Sequence, residues 1–391
     1  MKSRPKSYVI IAVFILCLGS KFYNLTYRDN QDVGYQFRSN LQPAQKTSSS
    51  QVLIPSVPYH HQINSYYCGS ASLEMIFDYY GPDISQTEIA EVARTYKEGG
   101  TYTFDLRRAA HFSENSVSNG LVIPGHINGY TKRKIGYVGF ESNLQNTTCL
   151  KCLIDKGHPI LIITWSNSEK INKHFRVVVG YRYEDNEILS FILNDPAHGE
   201  NYEIVYIEFV DLWSSNGNWS LFVSPWIMNI TYVNSIQIDS TFLVTAEFQY
   251  PCPSFFDENT YPVSECSAII KLPSGFSLTL GENKTKIFTN GTIKPRDVMA
   301  CSWNITSGSR NKKGTFNIEI CGKINGRVPE HYFFRSYSYS DYIGGSYTFL
   351  VEITGGFPTQ LVIIVLSISF SIVGVGGSII LIRKRVIKRR I

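Results

Sequence analysis

The sequence predicts an α+β domain, a β-sandwich after it and a C-terminal transmembrane helix, and three patterns point to this order. Between residues 52 and 226 apolar residues recur first at helical spacing and then in short runs that suit buried strands. Beyond about Trp226 the spacing becomes strict alternation with no helical stretch. From Leu361 to Ile382 run 22 residues without a charge, enough helix to cross a hydrocarbon core of about 30 Å.

Taken in order, residues 1–20 open with Lys2, Arg4 and Lys6, continue through the apolar run Tyr8 to Leu18 and end in Gly19-Ser20. That is the layout of a secretory signal peptide, with an uncleaved N-terminal anchor as the alternative. Residues 21–51 are polar and aperiodic, a linker. Ser70 to Tyr80 places Leu73, Ile76, Phe77 and Tyr80 on one helical face, and Gly81-Pro82 stops the helix. Ser85-Gln-Thr-Glu88 is a capping box that opens a second helix through Ile89, Val92 and Ala93, and Phe104 to His111 reads as a third. Leu144 to Lys156 is a further helix closed by Gly157, and Pro159 to Trp165 is a buried strand. Phe175 to Tyr183 and Ile188 to Leu193, joined by Glu184-Asp-Asn-Glu187, form a hairpin that presents residues at its ends. In residues 227–356 Phe242, Val244, Ala246, Phe248 and Tyr250 alternate, as do Phe316, Ile318 and Ile320, with turns such as Pro273-Ser-Gly275 between strands. Period two throughout predicts the sandwich, read as a stalk or binding module.

The formal net charge is +5, yet nine basic residues at the two ends carry more than the whole excess. Without Lys2, Arg4, Lys6 and the six between Arg383 and Arg390, 28 basic residues face 32 acidic ones, a net of −4. The body therefore offers no electrostatic footprint for nucleic acid. The basic tail, residues 383–391, follows the apolar span 361–382 directly. The positive-inside rule then puts the C-terminus in the cytoplasm and the body outside a cell membrane that the chain crosses once, or twice if the N-terminal segment is retained. Seven Asn-X-Ser/Thr sequons, at Asn24, Asn146, Asn218, Asn229, Asn283, Asn290 and Asn304, fall on that outer side and agree with export. In an exported body thiols tend to pair. Of the cysteines beyond Cys17, Cys68 is the one expected to stay free; Cys149/Cys152 reads as a local disulfide, and Cys252/Cys266 with Cys301/Cys321 as two more among three possible connectivities.

Cys68 stands at the start of the first helix, where the unsatisfied N–H groups and a nearby imidazolium lower a thiol pKa and produce the nucleophilic thiolate. Gly69 follows it, which would allow a substrate backbone to approach, and Gln62 precedes it by six residues. A side-chain amide at that spacing can share with the Cys68 N–H the binding of a developing oxyanion. His174 heads the predicted hairpin as a general base and Asp195 ends it as the group that orients the histidine. His60 and His61 adjoin Gln62 and are placed along the cleft, while His111, His126, His158, His198 and His331 have no motif around them.

The segments Gln62-Ile-Asn-Ser-Tyr-Tyr-Cys68-Gly, His174-Phe-Arg-Val-Val-Val-Gly-Tyr181 and Asn194-Asp195-Pro196 resemble the papain-like cysteine peptidases of the C39-like family, relatives of the double-glycine leader peptidases of bacteriocin exporters. The resemblance covers about Val52 to Trp226 and implies a papain-like fold, with Gln62 as oxyanion donor, Cys68 as nucleophile, His174 as base and Asp195 as its orienter. It implies a peptide or protein substrate, acyl transfer through a thioester, and no metal or organic cofactor. The exporters' leader-peptide substrate does not carry over, because the topology here points outward and no Walker motif accompanies the domain. Tyr67 and Ser70 also replace the small polar residue and the proline that often flank the family's nucleophile. The arrangement is similar to the free-standing secreted branch. Two alternatives stay open: a transpeptidase or amidase using the same Cys-His-Asp site, and a non-catalytic surface module that binds peptides or mediates adhesion.

Overall fold

The computed structural model describes residues 45–46, 51–119, 130, 132–185, 187–257, 259–288, 292–332 and 334–355, all within one compact unit, Tyr35–Ile391. The predicted leader 1–20, the apolar span 361–382, the tail 383–391, most of the linker and the sequons Asn24 and Asn290 lie outside the described residues. Among the described residues no helix is long and apolar enough to cross a membrane.

The first part is an eight-stranded antiparallel sheet with helices around it. In chain order its elements are β1 (Gln45–Lys46), β2 (Gln51–Leu53), α1 (Cys68–Tyr80), α2 (Gln86–Val92), α3 (Thr103–His111), β3 (Val117–Asn119), β4 (Val138–Asn143), α4 (Thr147–Asp155), β5 (Ile160–Trp165), β6 (Lys173–Glu184), β7 (Glu187–Asp195), β8 (Gly199–Val205), α5 (Tyr206–Ser214) and β9 (Trp219–Ser224). The sheet runs β1-β2-β6-β5-β9-β4, with β7 on the other edge of β6 and β8 beyond it, while β3 pairs elsewhere. Local chemistry sets the helix ends. The Ser85 hydroxyl accepts from the Glu88 N–H at the head of α2, and Asn146 does the same for the Cys149 N–H at α4. At the other end of α3 the buried Arg133 guanidinium donates to the carbonyls of Ala110 and Phe112 at 2.9 and 2.5 Å, a cation on the negative pole of the helix.

Several elements go beyond the sequence reading, among them the strands β3, β4, β8 and β9, the helix α5 and the strand β1. The helix α5 buries Phe209, Leu212 and Trp213, a helical stripe too short to stand out against its surroundings. The linker also ends earlier than expected, because Gln45 and Lys46 pair with Leu53 and Val52.

The second part contains β10 (Ile227–Thr231), β11 (Ser235–Gln237), β12 (Thr241–Gln249), β13 (Ser264–Lys271), β14 (Phe276–Leu278), β15 (Thr285–Ile287), β16 (Val298–Ser307), β17 (Lys312–Val328) and β18 (Tyr337–Thr354). One sheet runs β10-β12-β16-β14 and the other β11-β18-β17-β13-β15. Their inner faces meet through Phe242 on β12 and Phe316 on β17, ring centroids 6.2 Å apart, and Phe316 stacks on Phe349 at 5.1 Å. Every second residue of β12 from Phe242 to Phe248 is buried, as period two requires.

This part is fused to the first. The strand β3 adds to the edge of β18, Ser338 opposite Asn119. The Trp226 indole, just past β9, stacks on Tyr250 with centroids 4.8 Å apart, and the backbone N–H of Trp226 donates to the Gly344 carbonyl at 3.1 Å. One apolar cluster extends from Val52 to Ile353 without a break.

The expected disulfides are not formed. Cys68, Cys149, Cys152, Cys266, Cys301 and Cys321 are free thiols, and Cys252 donates its S–H toward the Pro253 and Phe256 carbonyls. Pleating and sheet membership separate the expected partners. Cys301 and Cys321 belong to different sheets, and Cys321 stands beside Ser267 on the outer face, whereas Cys266 is buried inside. On α4 the helical spacing sets the Cβ atoms of Cys149 and Cys152 about 5–6 Å apart, wider than the roughly 3.5–4.5 Å of a disulfide. Burial raises the Cys266 and Cys301 thiols to about 12, so both act as small apolar groups.

Because the core is shared, Trp226→Ala is expected to cost about 3–5 kcal/mol and to lower the melting of both parts together, as one calorimetric transition. Two separated transitions would show that the parts fold independently.

Candidate active site

The antiparallel hairpin of β6 and β7 brings the start of one strand beside the end of the other, and so sets His174 and Asp195 together. The register pairs Val177 with Asn194, which places Arg176 opposite Asp195. The helix α1 packs on this hairpin with Cys68 as its first residue. No side chain caps that end of α1, since Tyr67 makes no capping bond.

His174 Nε2 lies 2.8 Å from Asp195 Oδ1, and the ring also interacts with the Cys68 thiol. Burial by itself would raise the Cys68 pKa. The hydrogen bond and charge of His174, with the N–H groups of Phe175 and Gly69, outweigh it and bring the thiol below its ordinary value. Burial likewise opposes a charged His174, but the bonds to Asp195 and Cys68 carry it up to about 9. The two shifts run in opposite directions, thiol down and imidazole up, the sense that favours a thiolate–imidazolium pair.

Asp195 is fully buried, which disfavours its charge, yet His174 and Arg176 hold it well below the usual carboxylate range. Its Oδ1 also accepts from the N–H groups of Ala197 and His198, at 2.9 and 3.2 Å. Its Oδ2 takes Arg176 Nε at 2.5 Å and His198 Nδ1 at 3.0 Å. Arg176 is itself fixed by the Thr164 hydroxyl and by the carbonyls of Trp165 and Ser166, at 2.9 and 3.0 Å. The residues around Asp195 tie in the loop that carries Gln62: Asn194 Nδ2 donates to the Val57 and Pro58 carbonyls, both at 3.3 Å, and the Gln62 N–H donates to Pro196 O at 2.9 Å. The Gln62 side chain gives one amide N–H to Asn64 O at 2.8 Å and keeps the second.

Three readings of the sequence change here. Gly69 does not open a path for substrate: a Cβ on it would sit 3.1 Å from a Phe175 ring carbon and 3.2 Å from Thr101, so its smallness serves packing inside the fold. His60 binds Asp78 at 2.6 Å instead of joining the catalytic group. Arg176 and His198, neither of them singled out in the sequence, complete the surroundings of Asp195. Arg176 carried a usable signal, because it lies two residues from His174 and hence on the same face of β6. His198 carried none beyond its place three residues after Asp195.

The ligand atoms of His174, Asp195 and His198 lie within 4.8 Å of one another, a spacing a cation can use. Both Asp195 oxygens are already engaged, one by a buried guanidinium, so the group reads as a hydrogen-bond network rather than a metal centre.

A thiol at a helix start, a histidine on a facing strand and a buried carboxylate behind it form a cysteine-peptidase-like site on a papain-like, strand-rich α+β fold. Residues 54–221 match the Peptidase_C39 like family, and this region is a C39-like peptidase domain. Among solved structures, the peptidase domain of Streptococcus ComA, described as a bi-functional ABC transporter involved in a quorum-sensing pathway, is similar at 19% identity and a TM-score of 0.32, over 43% of this chain and 98% of that one. The native conformation of E. coli alpha-2-macroglobulin is similar at 9% identity and a TM-score of 0.25, over 47% of this chain and 8% of that one. No curated protein matches the chain.

A pKa raised by folding stabilises the fold below its unfolded value and ceases to do so above the folded one. The contribution of His174 is therefore complete below about 6.5 and lost as pH rises through about 9. That of Asp195, whose pKa is depressed, is present above 3.8 and lost as pH falls below it. Denaturation between pH 6.5 and 9 is expected to show wild-type stability declining more steeply than that of His174→Ala; equal slopes would contradict the ion pair. Arg176→Met is expected to destabilise by about 3–5 kcal/mol, because it removes one partner of a buried pair. A loss within 1 kcal/mol, in the range of about 0–1 kcal/mol for exposed pairs, would mean that Arg176 is dispensable to Asp195.

Proposed function

We propose that the chain is a membrane-anchored, extracytoplasmic cysteine peptidase that cleaves peptide bonds through a thioester on Cys68. The observation that carries the reading is the continuous line from Cys68 through His174 to a buried, doubly braced Asp195, which lowers the thiol pKa and raises that of the imidazole. A binding module has no use for a base and its orienter. The Cys68 thiolate adds to the substrate carbonyl carbon, and the oxyanion is held by the Cys68 N–H and the second N–H of Gln62. As the tetrahedral adduct collapses, its C–N bond breaks and the leaving amine takes the proton of His174. Water then gives a proton to His174 and its hydroxide to the acyl carbon, the C–S bond breaks, and a carboxylic acid leaves, losing its proton to bulk water, with the thiolate and imidazolium regenerated. Asp195 keeps the ring oriented through both stages.

Export and anchoring rest on the apolar run Leu361 to Ile382 before a basic tail. Exposure of the sequon residues Asn146, Asn229, Asn283 and Asn304 agrees with that placement.

Brief treatment of the protein with a dilute thiol alkylator near neutral pH, followed by mass spectrometry, is expected to label Cys68 fastest. His174→Ala is expected to slow it, and Cys68→Ala to abolish cleavage of a peptide library. Labelling of Cys68 no faster than an ordinary free thiol would overturn the peptidase reading. The full chain is expected in the membrane fraction and a form ending at residue 355 in the soluble one; recovery of both in the soluble fraction would remove the anchor.

A further inference from the structure

Immediately after α2 the backbone turns left-handed at Arg94, φ 50°, one residue past the Ala93 cap. Glycine is the usual residue there, and a side chain at that position carries strain. What holds Arg94 in place is its side chain, which is buried and reaches across to the second part of the chain. Its Nε donates to Asp105 Oδ1 at 2.7 Å, and the guanidinium also donates to the Arg335 carbonyl at 3.0 Å and the Pro329 carbonyl at 3.4 Å. The rings of Phe334 and Tyr337 flank it, 5.3 and 5.0 Å from the guanidinium carbon. Asp105 is fully buried, and His331 Nε2 stands 3.4 Å from its other oxygen. The turn between β17 and β18 is thus bound to the end of α2 by a five-donor fork that a lysine cannot reproduce.

The next residues lead to the nucleophile. Thr95 Oγ1 bonds Thr101 Oγ1 at 2.7 Å and lies 3.5 Å from Ser70 Oγ on α1. Thr101 in turn packs against Gly69, at 3.2 Å from where its Cβ would be, and Gly69 directly follows Cys68 as the second residue of α1. Tyr96 N–H and Gly100 N–H each pair with the other residue's carbonyl, at 3.1 and 2.8 Å, so the loop is a small closed hairpin held at its Arg94 end.

We infer that the all-β part is a working component of the peptidase cleft: its 329–335 turn, gripped by Arg94, presses the Thr95–Thr101 loop against Gly69 and so positions Cys68. Arg94 is a positioning residue, and the inference rests on the cysteine-peptidase reading of Cys68. It assigns the second part a role in the chemistry instead of that of a spacer.

The test is Arg94→Gly in the full chain, since glycine accepts the backbone angle and only the grip is lost. Cys68 alkylation at neutral pH is expected to fall about tenfold, the midpoint of its pH dependence to move upward, and kcat/KM on a cleaved peptide to fall in parallel. The control is Asp341→Asn, which removes the partner of Arg108, 3.1 Å away in the same interface. It is expected to lower the melting temperature while leaving the alkylation profile in place. Should Arg94→Gly not fold, Arg94→Lys, which keeps the charge beside Asp105 but not the fork, is expected to shift the profile the same way. Equal slowing in the Arg94 and Asp341 variants, or an unchanged profile in a folded Arg94 variant, would overturn the inference. A wild-type Cys68 that reacts no faster than an ordinary thiol would overturn the peptidase reading beneath it, a separate result.

Discussion

The buried carboxylate of Asp195 is the group on which the arrangement of the cleft depends. An ionised carboxylate removed from water costs several kcal/mol unless its lone pairs are matched, and here they are: two N–H groups and His174 on one oxygen, Arg176 and His198 on the other. Each partner is thereby fixed. Arg176 in turn holds the ends of β5 and β6 through Thr164, Trp165 and Ser166. Asn194 and Pro196 on either side of Asp195 bind the stretch from Val57 to Gln62. Hence the oxyanion donor proposed for Gln62 and the base proposed for His174 are placed by one network, in which the hydrogen bond to Asp195, followed by the interaction with Cys68, raises the pKa of His174 against its burial.

A second constraint is the sharing of one core by two parts of different texture. The boundary near Trp226 is real as a change from mixed to all-β structure, but it is not a boundary in packing. Trp226 stacks on Tyr250, β3 completes the edge of β18, and the pairs Arg94–Asp105 and Arg108–Asp341 sit buried at the junction. Buried ion pairs add little net stability but break at high cost, so they specify how the two parts fit. An interface of this kind transmits the position of the 329–335 turn to the loop beside Cys68 with little slack.

Much of this was legible in the chain. The stripe Leu73, Ile76, Phe77 and Tyr80 marked α1, the cap at Ser85 marked α2, and alternation from Phe242 to Tyr250 marked β12, because each pattern reports a single element burying one face. Cys68, His174 and Asp195 were legible through motif order, and the hairpin that joins the last two followed from its turn residues. Arg176 and His198 were not, since their roles depend on which atoms face a carboxylate across a strand pair. The disulfides were misread for a related reason: cysteine count and compartment suggest pairing, but the placement of Cys301 in one sheet and Cys321 in the other is a property of strand pairing between distant segments.

By itself the sequence determined what local periodicity and residue chemistry can encode: the strongly periodic helices and strands, the change to an all-β second part, the C39-like motifs, and the charge pattern at the two ends. Tertiary structure decided the rest: the encirclement of Asp195, the packing of Gly69 between Thr101 and Phe175, the free thiols, and the grip of Arg94 on carbonyls more than two hundred residues away. The physical reason is range. A helix stripe or a cap is written within a few positions of itself, whereas a buried charge is stabilised by whichever distant backbone groups the fold brings within hydrogen-bond distance.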